Sequence, residues 1–307
     1  MDEYTFEDAI ASSSVSCTYP GLEAISVSNA DADQSCTSLF FPGCSFVDYA
    51  LPLVKSVYDL LESGGQVDGI SLLCCGKILD FEGDGGVARA AFEEQFISHV
   101  TKTQIKRIVA ACPNCVRALR QMLAKSEATS SIEVVPLPRV LVDMGYKIDP
   151  ESAGAFVRES AGLPESETIV FCPKDSCPDR ATGEFADALR EIMSDTNLVE
   201  PKFARKRSYC CGSRPRAAGH YDLGDKMARR HGTQAREVGA NALVTACVSC
   251  TYSLWGSGCE VPVYHYLELL FNWNIPWNLA QGYLKLRFLF NDAEAGRDVR
   301  DYKGLDA

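Results

Sequence analysis

The chain has 307 residues, 46% of them hydrophobic and 23% charged, the composition of a soluble globular protein of about two domains. Its 41 acidic residues outnumber 30 basic ones for a formal net charge of −11, which argues against nonspecific nucleic-acid binding, since that rests on neutralising phosphates. Met1 to Ile10 are acidic and show no basic, apolar and cleavable succession of an export signal, so the expectation is a cytoplasmic protein. Its 14 cysteines are then expected to serve metal or redox chemistry rather than structural disulfides.

Residues 1–38 are rich in Ser, Ala and Asp, sustain no periodicity, and are expected to be irregular; Cys17 and Cys36 lie here. Residues 39–150 then alternate strands with helices. Leu39-Phe40-Phe41 reads as a strand ending in Pro42-Gly43-Cys44, and Phe46 to Leu61 as one helix stopped by Gly64-Gly65. Ile70 to Leu73 reads as a strand running into Cys74-Cys75-Gly76. After a Gly-rich turn at 82–86 come a helix from Val87 to Thr103 and a buried strand from Ile105 to Ala111. That strand ends at Cys112-Pro113-Asn114-Cys115, where Pro113 suits a first helical turn. Ile132 to Val135 is a further strand, followed by a helix to Met144.

Residues 151–271 repeat the order. Thr168 to Phe171 reads as a strand leading to Cys177, Phe185 to Met193 as a helix, and Ser208-Tyr209 as the approach to Cys210-Cys211-Gly212. A helix from Leu223 to Val238, a strand from Ala242 to Ala246 and a helix beginning at Cys247-Val248-Ser249-Cys250 follow. Val261 to Tyr264 (strand) and Tyr266 to Phe271 (helix) complete the repeat. Such alternation predicts an α/β fold with parallel strands and ligand-holding loops at their carboxyl ends, where the cysteine motifs fall. Residues 272–307 have no counterpart in the first half. Trp273, Ile275, Trp277, Leu279, Tyr283, Leu284, Leu286, Phe288, Leu289 and Phe290 make this extension apolar, but Asn274, Pro276, Gln281, Lys285 and Arg287 interrupt it too often for a spanning helix.

Ten of the 14 cysteines form two sets of five: Cys44, Cys74, Cys75, Cys112 and Cys115, then Cys177, Cys210, Cys211, Cys247 and Cys250. The gaps before and after the adjacent pair are 29 and 36 residues in the first set and 32 and 35 in the second. Two such coincidences point to an internal duplication that builds two metal sites. Thiolates bind zinc, copper(I) or iron–sulfur clusters. Structural zinc and a cubane cluster each take four protein ligands. Five per set, two of them adjacent in the chain, suit a multinuclear site better than a single ion. Cys172, Cys259, Cys17 and Cys36 stand outside both sets, although Cys172 competes with Cys177 for the opening position.

This doubled pattern resembles the CCG (cysteine-rich) domain pair of the heterodisulfide reductase B-type polypeptides and their relatives. Phe41-Pro42-Gly43-Cys44 is similar to that family's opening Y-P-G-C, and Lys174-Asp175-Ser176-Cys177 to its H-D-P-C with Lys in place of His. Val263-Tyr264-His265-Tyr266-Leu267-Glu268 is similar to its closing segment. The resemblance, over residues 39–271, implies two tandem domains related by a pseudo-two-fold. It also implies two noncubane [4Fe-4S] clusters, each on one cysteine quintet, and reductive cleavage, or the reverse formation, of a disulfide between them. Relatives that serve as electron-transfer subunits of larger dehydrogenases, or hold zinc in one motif, supply the alternatives: an electron carrier, or a zinc-binding interaction module. With no ferredoxin-type cysteine run in the chain, electrons are expected from a separate ferredoxin-like or flavin-containing protein.

Lys77, Arg180, Arg214 and Arg216 lie beside the cysteine motifs and are the candidate contacts for an anionic disulfide or thiol substrate. His265 is expected to be a packed core histidine, and His99, His220 and His231 exposed ones. No Ser-His-Asp signature, phosphate-binding loop or dinucleotide fingerprint is present.

Overall fold

Short aromatic and β-branched runs make most of the strands here, and five of the parallel ones hand the chain to a cysteine-bearing turn. A computed structural model describes residues 14–17, 25–30, 35–81 and 85–277. The chain divides into two units. One comprises Met1–Lys106, Met122–Ser131 and Pro276–Ala307, the other Arg107–Gln121 and Ile132–Ile275.

In the first unit, β1 (Ser14–Cys17) and β2 (Ile25–Ser28) pair antiparallel within the stretch expected to be irregular. Ile25-Ser26-Val27-Ser28 does alternate, with Val27 buried, but the run is too short to stand out from its Ser-rich surroundings. β3 (Ser38–Phe41) lies parallel to β4 (Gly69–Ile70). The carboxylate of Asp68 fixes the start of β3 by accepting the Thr37 and Ser38 amides at 2.9 and 2.7 Å. Instead of one helix, α1 (Cys44–Tyr49) and α2 (Leu51–Ser63) meet at Ala50, whose φ is −144°. Pro52 sits in the first turn of α2; with no N–H to donate back into α1, it suits the start of a new helix rather than the continuation of the old one. α3 (Gly85–Thr101) completes the unit.

The second unit runs β5 (Arg107–Ala110), α4 (Pro113–Leu123), β6 (Glu133–Pro136), α5 (Leu137–Asp143) and α6 (Pro150–Ala161). It continues with β7 (Phe171–Lys174), α7 (Glu184–Ile192), α8 (Ser213–Ala217), α9 (Tyr221–Glu237), β8 (Ala242–Thr245), α10 (Val248–Trp255), β9 (Val263–His265) and α11 (Tyr266–Phe271). β5 and β6 pair in parallel; β7, β8 and β9 form a parallel sheet in that order. The architecture is therefore α/β, with parallel strands and flanking helices, as read from the alternation. β7 starts three residues later than predicted. Asn241 takes over the backbone before it, accepting the Val170 amide at 2.8 Å and donating to the Thr168 carbonyl at 2.9 Å. Pro173 is tolerated in β7 because that strand is at the edge of its sheet. Ser208-Tyr209 is not a strand; the chain reaches Cys210 through a 3-10 turn at Arg205–Arg207.

Of the apolar extension, Ile275 and Trp277 are buried, and the Trp277 ring lies 5.6 Å from that of Tyr49 within the first unit. Leu279, Tyr283, Leu284, Leu286, Phe288, Leu289 and Phe290 fall outside the described residues. Among the described residues no helix is long and apolar enough to cross a membrane.

Candidate metal centre

The carboxyl ends of β3, β5, β7 and β8 each deliver a cysteine. Cys44 opens α1 after β3, Cys112 follows β5, Cys177 follows β7 and Cys247 follows β8. Cys44, Cys74 and Cys75 belong to the first unit, Cys112 and Cys115 to the second, and the whole second quintet to the second. No disulfide joins the described cysteines.

Within the second unit the quintet is gathered as a series. Cys177 interacts with Cys210, Cys210 with Cys211, Cys211 with Cys250, and Cys250 with Cys247, the members of each pair shifting each other's thiols. The series runs on to Cys112, the first set's cysteine, which contacts Cys247. The contacts divide the protons unevenly. Cys210 is held far below the ordinary thiol range by its Cys177 and Cys211 contacts, helped by the backbone N–H groups of Arg214 and Gly212. Its neighbours Cys177 and Cys211 are correspondingly raised, and the Cys112 contact raises Cys247. Cys250 is drawn down by Cys211 but pushed up to about 12 by Cys247 and burial. Cys211, Cys247 and Cys250 are buried, whereas Cys177 and Cys210 are half-buried and form the exposed edge. Cys172 lies in an apolar cluster that also holds Cys211, Cys247 and Cys250, and burial pushes it up to about 12; of the two candidates for the opening position, Cys177 is the one that interacts with Cys210.

Lys174 is the least expected member of this site. It is 2% exposed, and its Nζ donates to the Asp175 carbonyl at 2.9 Å and lies 3.5 Å from Cys250 Sγ. Burial disfavours its ammonium, yet the surrounding Cys250, Cys211, Cys177 and Cys247 outweigh that and raise it. The carboxylate next door is committed elsewhere. Asp175 receives a bidentate pair from Arg190 at 2.8 and 3.0 Å and the Arg205 amide at 2.6 Å. The counter-charge of Lys174 must therefore come from sulfur. The substitution of His by Lys was visible in the sequence; its consequence was not.

The glycine of each C-C-G is left-handed, Gly76 at φ +66° and Gly212 at +93°. A Cβ on Gly212 would collide with the Gly224 carbonyl, because α8 and α9 approach through bare backbone at that point. Side chains hold the turns that follow: Arg89 donates to the Cys75 carbonyl at 3.1 Å, and Ser253 to the Cys211 carbonyl at 2.9 Å. His231, expected to be exposed, is buried: its ring stacks on Tyr209 at 4.1 Å and its Nε2 meets the Cys210 carbonyl at 3.3 Å. Burial pushes it down to about 3. One turn before it, Ala228 is also buried, so a helix face that reads as polar in sequence is in fact the inward one. His265 is buried as expected.

The candidate anion contacts separate. Lys77 pairs with Asp80 and Arg216 with Asp225. Arg180 donates to the Cys177 and Ser208 carbonyls at 3.2 and 3.3 Å, and Arg214 is exposed beside Cys210. Only the last two stand at the exposed edge of the series.

The model of the cysteine-rich domain, CCG, matches the chain twice, at residues 38–120 and 175–255. The chain belongs to the CCG cysteine-rich domain family. No curated protein matches it. Among solved structures, a putative Asp/Glu racemase from Yersinia pestis is 11% identical with a TM-score of 0.33, covering 81% of this chain and 100% of that one. Glutamate racemase RacE1 from Bacillus anthracis is 10% identical with a TM-score of 0.35, covering 86% and 85%. Likenesses this low carry no argument about fold or activity.

A CCG protein is a metal- or iron–sulfur-binding one, and domains of this kind are typical of iron–sulfur oxidoreductase complexes. The donor set fits that role. It is soft, largely buried, ionised in part and accompanied by a fixed cation, the surroundings in which thiolates hold thiophilic metals. Among the described residues no three His, Cys, Asp or Glu side chains enclose a ready-made single-ion site; the thiols run as a chain of contacts.

Proposed function

We propose that this CCG protein is an iron–sulfur oxidoreductase that cleaves, or in reverse forms, a disulfide. Cys44, Cys74, Cys75, Cys112 and Cys115 would hold one noncubane [4Fe-4S] cluster, and Cys177, Cys210, Cys211, Cys247 and Cys250 the other. When bound, such clusters supply one-electron redox chemistry. The net reaction is R–S–S–R′ + 2 e⁻ + 2 H⁺ → R–SH + R′–SH, with the electrons supplied by a one-electron donor protein.

The observation that carries this reading is the Cys112–Cys247 contact. Splitting a disulfide needs two electrons at one place. The interaction of Cys112, a first-set cysteine, with Cys247 of the second set, both within the second unit, supports two one-electron sites serving one disulfide. The chain's own residues supply the rest. Lys174 balances sulfur charge from within, so the site tolerates thiolates in a dry interior. Arg180 and Arg214 offer charge to an anionic thiol or disulfide at the edge where Cys177 and Cys210 reach solvent. Asp175 locks the approach to that edge by tying Arg190 and the Arg205 backbone to the turn before Cys177.

Iron, sulfide and zinc content of anaerobically purified protein tests the reading, followed by turnover of low-molecular-weight disulfides with a reduced viologen. About eight irons per chain with matching sulfide and disulfide turnover support it. Zinc without iron overturns it in favour of an interaction module. Full iron loading without turnover of any disulfide leaves the electron-transfer role.

A further inference from the structure

The acidic chain has one stretch of the opposite sign. From Lys202 to Arg216 there are six basic residues, Lys202, Arg205, Lys206, Arg207, Arg214 and Arg216, and no acidic one, with Cys210 and Cys211 among them. Two of the six are neutralised, Arg205 by Asp187 and Arg216 by Asp225. The other four are exposed and pair with no described carboxylate.

Two further exposed cations join them from elsewhere in the chain. Arg180 reaches across to the Ser208 carbonyl, next to Arg207, and lines with Lys206 and Arg207 one cavity of about 720 Å³. Arg230 of α9 lies over the rings of Phe203 and Tyr209, each at 5.6 Å, while Lys202 lies over Phe203 from 5.8 Å. The acids of that cavity have other partners: Asp175 and Glu200 share Arg190, Asp187 pairs with Arg205, and Asp179 accepts the amides of Phe185 and Ala186 at 3.2 and 2.9 Å. What remains is an apron of six exposed cations without an ion-pair partner among the described residues, Arg180, Lys202, Lys206, Arg207, Arg214 and Arg230. It surrounds the half-buried sulfurs Cys177 and Cys210, the edge of the second quintet that solvent reaches.

We propose that this apron is the docking surface for an acidic electron-carrier protein, which gives up one electron at a time across the Cys177–Cys210 edge. The carrier's redox role rests on the reading under Proposed function; the surface and its preference for an acidic protein do not. Four separate elements bring the cations, and Arg230 and Lys202 are anchored on aromatic faces rather than turned into one point, so they present a broad field and not a clamp for a single small anion. A field of that kind steers a charged partner and sets its orientation. It also disfavours a second copy of this chain docking by the same face, since like charges would meet.

Titration of the full chain with an oxidised, acidic [2Fe–2S] ferredoxin, followed by calorimetry at low and high salt, tests this. Binding is expected at low salt and lost at high salt. Arg207→Glu and Arg230→Glu should each weaken it on the order of tenfold and reduce its salt dependence, while Lys102→Glu, an exposed cation of the first unit, should leave it unchanged. Iron and sulfide content of each variant, and its reduction rate by dithionite, show whether the site itself has been disturbed. Ferredoxin binding that ignores both reversals overturns the proposal, as does absence of binding at low salt. Loss of inorganic-phosphate binding in the same two variants with ferredoxin unaffected overturns it in favour of a small-anion site. Because binding is read on the metal-free chain as well, absence of iron defeats the functional reading while this surface is still judged.

Discussion

Replacing Lys174 by Met keeps the length of the side chain and removes its charge. With Nζ 3.5 Å from Cys250 Sγ and the Asp175 carboxylate held by Arg190, the ammonium interacts with sulfur and little else of opposite charge. At an effective dielectric constant of about 20, a unit charge at roughly 3.5–5 Å is worth roughly 3–5 kcal/mol. That interaction exists in full only when the sulfurs are thiolates, as they are around a metal. K174M should therefore weaken metal loading by about two to three orders of magnitude, while the metal-free chain changes little or gains stability, because a poorly paired buried charge has become an apolar side chain. In the loaded protein the added electron loses a favourable neighbour, so the reduction potential of the second site should fall by roughly 100–200 mV for a one-electron couple. Urea denaturation of both forms and a spectroscopic redox titration measure the three effects. Equal destabilisation of the metal-free and loaded forms, with an unmoved potential, would refute the reasoning and reduce Lys174 to its hydrogen bond with the Asp175 carbonyl.

The two C-C-G glycines should respond unequally to alanine. At Gly76 the new methyl meets the Phe92 ring at 2.5 Å, a side chain that can give way, for a loss of about 2 kcal/mol. At Gly212 it meets the backbone of Gly224, and the expected loss is about 4 kcal/mol or more; similar denaturation midpoints for G76A and G212A would contradict this. Asp175→Asn strips Arg190, whose side chain is 11% exposed, of its bidentate partner and leaves it Glu200 alone. We expect about 3–5 kcal/mol of destabilisation by the same measurement. His265 is pushed by burial from 6.5 down to about 3, so below pH 6.5 the unfolded chain takes up a proton that the folded one refuses. Its contribution is complete above pH 6.5 and is lost as pH falls, at up to about 1.4 kcal/mol per unit. Glu268, which burial pushes up to about 8, slopes the opposite way between 8 and 4.5 and flattens the wild-type profile. The readout is accordingly the difference in stability between wild type and His265→Phe from pH 7 to 4.5, and a difference that does not vary with pH would contradict the assignment.

The part of the site that repeats was legible in the sequence. Spacing picked out Cys210, Cys211, Cys247 and Cys250 and left Cys172 competing with Cys177 for the opening place; the four and Cys177 are thiols that interact in series, because in parallel α/β units strand ends converge whatever the intervening lengths. The same repeat picked out Gly76 and Gly212, whose left-handed backbone only glycine adopts cheaply. What resisted reading depends on partners distant in sequence. Nothing local tells that Asn241 hydrogen-bonds the backbone before β7, or that Asp175 is shared between Arg190 and the Arg205 amide and so is lost to Lys174. His231 sits among Arg229, Arg230 and Arg236 on a helix with a polar composition, and only the stacking on Tyr209 turns it inward. The break at Ala50 was readable from Pro52, had the proline been weighed above the apolar period.

The duplication also leaves an asymmetry. Three residues before its opening cysteine, the first set has Phe41, which is buried and neutral, where the second has Lys174, buried and cationic. The exposed cations without an ion-pair partner gather around the second set as well, at the Cys177–Cys210 edge. Both features favour extra negative charge on the second site. A one-electron carrier arriving at that edge would therefore meet the site that accepts an electron more readily. The Cys112–Cys247 contact would then lead onward to the first set. For the disulfide chemistry proposed above, which needs two electrons delivered singly, unequal sites would give the first electron a defined resting place, which two equivalent sites would not.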